Sequence, residues 1–172
     1  MAAPYPKHLE STGAARDGTP ISLRPVRPDD EKLLQDLLAH MTREDVRMRF
    51  FAPLRELSHA LAERLLHIDY DRQMALVAEN QGKILGVARL VRSPLANDAE
   101  VAVIISDAWH ARGLGTQLVE RLVGYARDEK VARLNASVLY ENRPMLRILE
   151  KLGFRLIPSS DPETVEATVE LG

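Results

Sequence analysis

The most constraining feature of the sequence is the stretch from Glu100 to Thr116, which predicts a strand, a glycine-containing turn and a helix. Val101 to Ile105 are all apolar and mostly β-branched, which is typical of a buried strand. The helix is predicted to begin within Arg112 to Thr116, and its apolar residues then recur at helical spacing. They fall on one face: Leu114, Leu118, Leu122 and Tyr125.

The turn between this strand and this helix has the composition of an anion site. The first N–H groups of a helix have no partner within it, and the helix dipole adds roughly half a positive charge there. Gly113 and Gly115 allow a phosphate to approach the backbone, while Arg112 and Thr116 offer a charge and a hydroxyl. A dinucleotide fingerprint needs a third glycine where Leu118 stands, and a Walker loop needs a lysine. An ordinary strand-to-helix turn without a ligand stays open as the alternative.

Composition restricts the class of protein. The chain has 172 residues, enough for one domain with a core, and its formal net charge of −2 disfavours nucleic acid or an anionic membrane as partner. It contains no cysteine, which excludes disulfides, thiolate catalysis and thiolate metal sites, and its five histidines suggest no metal site. No apolar run is long enough to cross a bilayer and no signal-peptide core is present, so the cytoplasm is the default expectation.

The remaining pattern predicts one α/β domain behind a tail. Residues 1–20 contain three prolines and two glycines without apolar periodicity, so we expect a flexible tail or linker there and the domain over 21–172. Two β-like runs, Gln73 to Glu79 and Lys83 to Val91, meet at Asn80-Gln81-Gly82, which predicts a hairpin. The order of elements indicates a mixed, mostly antiparallel sheet with helices on both faces.

The turn and its flanks resemble the acetyl-CoA signature of the GNAT acetyltransferase superfamily. There, Gln/Arg-x-x-Gly-x-Gly/Ala follows an apolar strand, and the loop amides hold the CoA pyrophosphate. His110-Ala111-Arg112-Gly113-Leu114-Gly115 matches this pattern, with His110 in the Gln/Arg place. The resemblance implies that acetyl-CoA binds this loop and that the strand backbone pairs with the pantetheine arm. The implied binding residues are Val103, Ile104, Ile105, Ala111, Arg112, Gly113, Leu114, Gly115, Thr116 and Asn142.

Asn142 is included because it opens a segment that is similar to the final GNAT motif. The asparagine contacts CoA in that motif, and a plain helix N-cap is a compatible alternative. Many family members have a tyrosine seven residues later that acts as general acid toward the CoA thiolate, whereas this sequence has Leu149 there. Either another group such as Tyr140 serves, or the thiolate leaves unaided, which a thiol pKa of about 8.5 permits.

Glu100 is the candidate general base for transfer to an amine. A lysine amine, with a pKa of about 10.4, is almost entirely protonated at neutral pH and must lose a proton before it attacks. Strand alternation places Glu100 on one face with Ala102 and Ile104, and apolar surroundings there are expected to raise the carboxyl pKa. A solvated strand end is the alternative from spacing alone. Ala99 to Val103, however, is similar to the base segment of bacterial protein lysine acetyltransferases of the Pat type.

Two further segments resemble the Pat-type subgroup: Leu23 to Asp30 and the arginine-rich Arg47 to Leu54. The latter is either a solvated face or a basic surface for an acidic partner. Pro4 to Leu9 resembles a joint to an acyl-CoA synthetase-like part, so the chain is suspected to be a fragment of a longer one. The resemblance implies direct acetyl transfer to a protein lysine, with a metabolic acyl-CoA synthetase as target. A small-amine acetyltransferase and a non-catalytic acyl-CoA-sensing module of a larger enzyme stay open.

Overall fold

The frame of the computed structural model, which describes residues 3–39, 41, 64–106, 109 and 112–172, is a mixed eight-stranded sheet. Its strands lie in the order β1-β2-β3-β4-β5-β6-β8-β7. All neighbouring strands are antiparallel except β5 and β6, which are parallel. The strands are β1 Ser11–Ala14, β2 Pro20–Pro25, β3 Gln73–Asn80, β4 Lys83–Arg92, β5 Asp98–Ile105, β6 Arg133–Leu139, β7 Arg155–Pro158 and β8 Thr164–Glu170.

Helices cover both faces of this sheet, as the sequence predicts. The α-helices whose bounds lie within the described residues are α1 Glu31–Ala39, α2 Leu114–Asp128 and α3 Arg143–Lys151. On one face α1 packs through Leu34 and Leu37 against Val77, Val87 and Ile104. On the other face α2 and α3 share a larger core with the sheet. None of the described helices is both long and apolar enough to cross a membrane.

The β3–β4 hairpin forms where the sequence predicts it. Its two-residue loop is Gln81-Gly82, and both residues have positive φ angles, 51° and 75°. Two such residues in succession are typical of a type I′ turn, whose twist matches that of the flanking strands.

Residues 3–20 form part of the fold, so the prediction of a flexible tail over 1–20 is wrong for this part. The segment Lys7–Leu9 is a 3₁₀ turn, and β1 pairs with β2 from Ser11↔Leu23 to Ala14↔Pro20. The Gln117 side-chain amide of α2 donates to the Ala14 carbonyl over 2.9 Å. A four-residue edge strand of small and polar residues gives little periodicity, and hydrogen bonds from distant residues stabilise it.

A buried ion pair joins β2 to the turn that precedes α1. The Arg24 guanidinium donates two hydrogen bonds of 2.9 Å to Asp30 and one of 3.2 Å to Glu79. The Arg27 N–H donates to the same Asp30 carboxylate over 2.7 Å. Burial lowers the pKa of Arg24, but the hydrogen bonds to Asp30 and Glu79 outweigh it and the pKa is raised. The predicted basic segment Arg47 to Leu54 lies outside the described residues.

Candidate active site

The site is organised by a fork between β5 and β6. These two strands pair only over Asp98↔Arg133, Ala99↔Leu134 and Glu100↔Asn135. Beyond Glu100, residues 101–104 of β5 continue to pair with β4 but have no partner strand on the side of β6 within the described chain. The fork leaves a strand edge to which an extended amide-bearing ligand can add.

A cavity of about 630 Å³ lies along this edge and the N-terminal end of α2. Of the ten binding residues expected from the sequence, eight line it: Val103, Ile104, Ile105, Gly113, Leu114, Gly115, Thr116 and Asn142. Ala111 and His110 lie outside the described residues. Val103 and Ile105 are only half-buried, which corrects the expectation of a fully buried strand. They pack against the core while also lining the cavity.

The turn at the start of α2 has the geometry of an anion site. Gly113 is the N-cap residue with φ 86°, in the left-handed region that favours glycine. It has no side chain to cap the first N–H groups of the helix, which line the cavity from Leu114 to Thr116. At Gly115 a Cβ atom would stand 3.0 Å from Cδ1 of Ile148, so the glycine lets α2 and α3 approach closely.

Arg112, which the sequence also predicts to bind the cofactor, is absent from the lining of the large cavity and contacts the N-terminal segment. Its Nη1 donates to Oδ2 of Asp17 over 3.1 Å, and its guanidinium carbon lies 4.8 Å from the ring centroid of Trp109. Hydrogen bonds from the side chain and N–H of Thr19, and then the charge of Arg112, lower the pKa of Asp17. The Arg112 side chain therefore links the N-terminal segment to the α2 turn through its ion pair with Asp17.

Three other cations line the large cavity, and sequence reasoning missed all of them. Arg16 comes from the N-terminal segment, where its N–H donates to the Arg112 carbonyl over 3.0 Å. Arg147 and Lys151 are four residues apart on α3, so they share one side of that helix. The described lining contains no aspartate or glutamate, although the whole chain has a formal net charge of −2. The apolar periodicity of α3 predicts that Arg147 and Lys151 lie on its polar face. No local sequence pattern indicates a position for Arg16.

Glu100 lies at the tip of the fork, where β5–β6 pairing ends. Its side chain is exposed, so the expectation of apolar surroundings is wrong. It lines a second cavity, of about 550 Å³, together with Asp98, Arg89 and Arg92. Arg89 is buried at 8% exposure and donates to the Leu65 carbonyl over 2.5 Å. The charges that line this cavity are therefore mixed.

A third and much smaller cavity, of about 30 Å³, occupies the fork itself. It has Val103, Asn142 and Met145 in common with the large cavity, and Val101 and Ala102 in common with the Glu100 cavity. The three spaces thus form a series, with the smallest one between the other two.

Asn142 begins α3 and lines two of these cavities. Its Oδ1 accepts a hydrogen bond of 3.4 Å from the Met145 N–H, so the N-cap role is present. Leu149 is buried at 1% exposure and lines the smallest cavity. Tyr140 is 53% exposed, accepts a hydrogen bond from Arg143, and is absent from the lining of all three cavities.

This arrangement agrees with comparisons against known proteins. The family model of the acetyltransferase (GNAT) domain matches residues 21–155, and the chain belongs to this family of N-acetyltransferases that use acetyl-CoA. It is 27% identical to an acetyltransferase of Pseudomonas aeruginosa over 86% of this chain and 80% of that protein. It is 34% identical to acetyltransferase Pat of Mycolicibacterium smegmatis, matching 80% of this chain but only 42% of the longer protein.

Among solved structures, the GNAT domain of S. lividans PAT superposes with a TM-score of 0.91 at 28% identity. The match covers 97% of this chain and 99% of that domain. Solved relatives at 19% identity include a spermidine N-acetyltransferase in complex with CoA and a phosphinothricin acetyltransferase in complex with acetyl-CoA. At 19% identity these structures support the fold of this chain but not the choice of an acceptor substrate.

Proposed function

We propose that the chain transfers an acetyl group from acetyl-CoA to the ε-amine of a lysine on a protein, with Glu100 as general base. The observation that carries this proposal is the position of Glu100 at the tip of the fork, where it lines the cavity open to an acceptor, next to the strand edge along which the cavity suited to the donor lies. The similarity to acetyltransferase Pat supports the choice of a protein acceptor through the Pat-type resemblance.

The large cavity suits the charged part of acetyl-CoA. The first N–H groups of α2 and the cations Arg16, Arg147 and Lys151 converge on it, and phosphates are the anions that such a surface attracts. The edge of β5 between Val101 and Ile104 would pair with the amides of the pantetheine arm and so direct the thioester into the fork.

Transfer requires the lysine nitrogen to lose two protons, and the first of them goes to Glu100. The carboxylate takes a proton from the lysine ammonium, directly or through a water, and the neutral nitrogen bonds to the thioester carbon. A backbone N–H of β5 would stabilise the oxyanion. The C–S bond breaks with its electron pair on sulfur, and the nitrogen gives its second proton to water, which leaves a neutral amide. Leu149 has no hydroxyl, Tyr140 lies outside the three cavities, and the Ser137 hydroxyl in the small cavity donates to Glu166, so we propose that CoA leaves as the thiolate.

The surroundings of Glu100 favour a protein over a small polyamine. A polyamine site would be acidic, whereas the described lining of this cavity contains two arginines and two carboxylates: Arg89, Arg92, Asp98 and Glu100. The adjoining β4–β5 turn carries Leu95 at 95% exposure, an apolar side chain of the kind that a protein partner covers. We propose a metabolic acyl-CoA synthetase as that partner, since acetylating an active-site lysine removes its charge.

Acetyl-lysine mapping tests the acceptor. The protein is incubated with acetyl-CoA and a purified acyl-CoA synthetase, and modified lysines are identified by mass spectrometry, with Glu100→Gln and Glu120→Gln alongside. Glu120 is an exposed glutamate on α2 and serves as the matched control. We expect one lysine to be acetylated by the wild type and by Glu120→Gln but not by Glu100→Gln. Binding of acetyl-CoA with no acetylated lysine would instead favour a small amine or a sensing module.

A further inference from the structure

Residues 13–17 lie across the turn that begins α2, and we name this segment the strap. It precedes residue 21, where the match to the family model begins. The Arg16 N–H donates to the Arg112 carbonyl over 3.0 Å, and the Arg112 guanidinium donates in return to Asp17 over 3.1 Å. On the other side of the turn, the Gln117 amide donates to the Ala14 carbonyl over 2.9 Å. The strap is therefore a wall of this turn that the matched domain does not itself contain.

The strap approaches α2 as closely as a glycine permits. A Cβ atom on Gly13 would stand 2.6 Å from Oε1 of Gln117, closer than two non-bonded atoms can approach. Ala15, the middle residue of the strap, is buried at 5% exposure in the core that α2 shares with the sheet. Its N–H donates to the Thr19 carbonyl over 2.9 Å. These contacts fix the position of the strap along the turn.

This position brings the Arg16 side chain over the N-cap residue of α2. Its Cγ and Nε atoms lie 3.5 and 3.7 Å from the point that a Cβ atom of Gly113 would occupy. The side chain is exposed and lines the large cavity together with the first residues of α2. A guanidinium and helix N–H groups that face one space can bind the same anion, because the planar fork of arginine matches phosphate with two parallel hydrogen bonds.

The order of groups in acetyl-CoA indicates which phosphate reaches the turn. The pyrophosphate follows directly on the pantetheine arm, whereas the 3′-phosphate lies beyond it on the ribose. The edge of β5 that would receive the arm runs from the fork toward Ile105, whose Cγ1 lies 3.9 Å from the point that a Cβ atom of Gly115 would occupy. An arm laid along this edge therefore delivers the pyrophosphate to the turn that Arg16 covers.

We propose that the strap completes the donor site, with Arg16 binding the pyrophosphate of acetyl-CoA and Asp17 acting as a positioning residue that holds Arg16 over the turn through Arg112. The inference rests on the proposed donor site but not on the acceptor or on Glu100. The side chains of Asp17 and Arg112 are 49% and 42% exposed, and exposed ion pairs contribute little. Loss of Asp17 should therefore weaken donor binding less than loss of Arg16.

The test is a calorimetric titration of the full chain with two donors. Acetyl-CoA carries both the pyrophosphate and the 3′-phosphate, and acetyl-dephospho-CoA carries only the pyrophosphate. Wild type, Arg16→Ala, Asp17→Asn and the double variant are compared. Asp17→Asn removes the charge that pairs with Arg112 but keeps an oxygen for the two hydrogen bonds from Thr19. Asp128→Asn is the matched control, since Asp128 is exposed at the end of α2 and lines none of the three cavities.

We expect Arg16→Ala to raise the Kd about fivefold for both donors, Asp17→Asn to raise it about twofold, and Asp128→Asn to leave it unchanged. If Asp17 acts through Arg16, the double variant binds no more weakly than Arg16→Ala alone, whereas independent effects would multiply. Multiplied effects, unchanged Kd values, or an Arg16→Ala loss that disappears with acetyl-dephospho-CoA would each overturn the inference.

The same titration separates this inference from the proposed function. A wild type that does not bind acetyl-CoA would refute the donor site, and the strap inference with it. A wild type that binds acetyl-CoA but acetylates no lysine leaves the proposed acceptor in error, and the Kd values of the variants still decide the role of the strap.

Discussion

Replacing Arg16 by alanine tests whether the N-terminal segment takes part in donor binding. Arg16 is exposed and lines the large cavity, and its backbone bond to Arg112 remains in the variant. Two unit charges about 4 Å apart interact by about 1 kcal/mol in water, and a difference of about 1.4 kcal/mol is a tenfold change in affinity. We therefore expect Arg16→Ala to raise the Kd for acetyl-CoA by about fivefold while leaving kcat nearly unchanged.

The assay is a calorimetric titration of acetyl-CoA at low and high salt. The Debye length falls from about 10 Å at 0.1 M to about 3 Å at 1 M, so the difference between wild type and variant should shrink at high salt. S-acetylpantetheine, which lacks the phosphates, should bind both proteins equally. Arg155→Ala removes an exposed arginine of β7 that lines none of the three cavities and is the matched control. An unchanged Kd, or an equal loss for S-acetylpantetheine, would refute a phosphate role for Arg16.

Two further predictions concern stability. Asp30→Asn breaks the buried pair with Arg24 and should lower the free energy of unfolding by about 3–5 kcal/mol. Each kcal/mol should lower Tm by about 2–4 °C. Asp29→Asn at the exposed neighbouring position should leave Tm nearly unchanged, and equal Tm values for the two variants would contradict the prediction. Burial raises the pKa of Tyr125 from 10.0 to about 12. The stability that the buried, neutral Tyr125 contributes is therefore fully present below pH 10, declines above pH 10 and is lost by about pH 12. Urea unfolding should show that Tyr125→Phe lacks this alkaline decline in stability, which is on the order of 2–3 kcal/mol. Parallel pH profiles for the two proteins would argue against it.

The strand–turn–helix unit was predictable because its signals are local. A β-branched run, a glycine in a left-handed turn and an apolar stripe each act within a few residues, and β5, Gly113 and α2 lie where these signals predict. The β3–β4 hairpin has the same basis, since Gln81 and Gly82 determine its turn.

The rest of the candidate site depends on contacts between distant parts of the chain. The fork arises because β5 and β6 pair over three residues and then diverge, and no local pattern indicates where pairing stops. Arg16 lies in a segment that lacks periodicity. That segment is held at the α2 turn by hydrogen bonds to Arg112 and Gln117, which are about a hundred positions away in the sequence.

The most direct test of the central claim is the pH dependence of kcat for wild type, Glu100→Gln and Asp98→Asn on an accepted amine, with acetyl-CoA affinity measured in parallel. Asp98 is the other carboxylate in the Glu100 cavity and accepts a hydrogen bond of 3.2 Å from Asn135. If Glu100 is the base, Glu100→Gln loses about 10²–10⁴-fold in kcat near neutral pH and regains part of it as the amine deprotonates at high pH, with Kd unchanged. Asp98→Asn retains most of its activity. Equal kcat for wild type and Glu100→Gln across neutral pH would contradict the assignment.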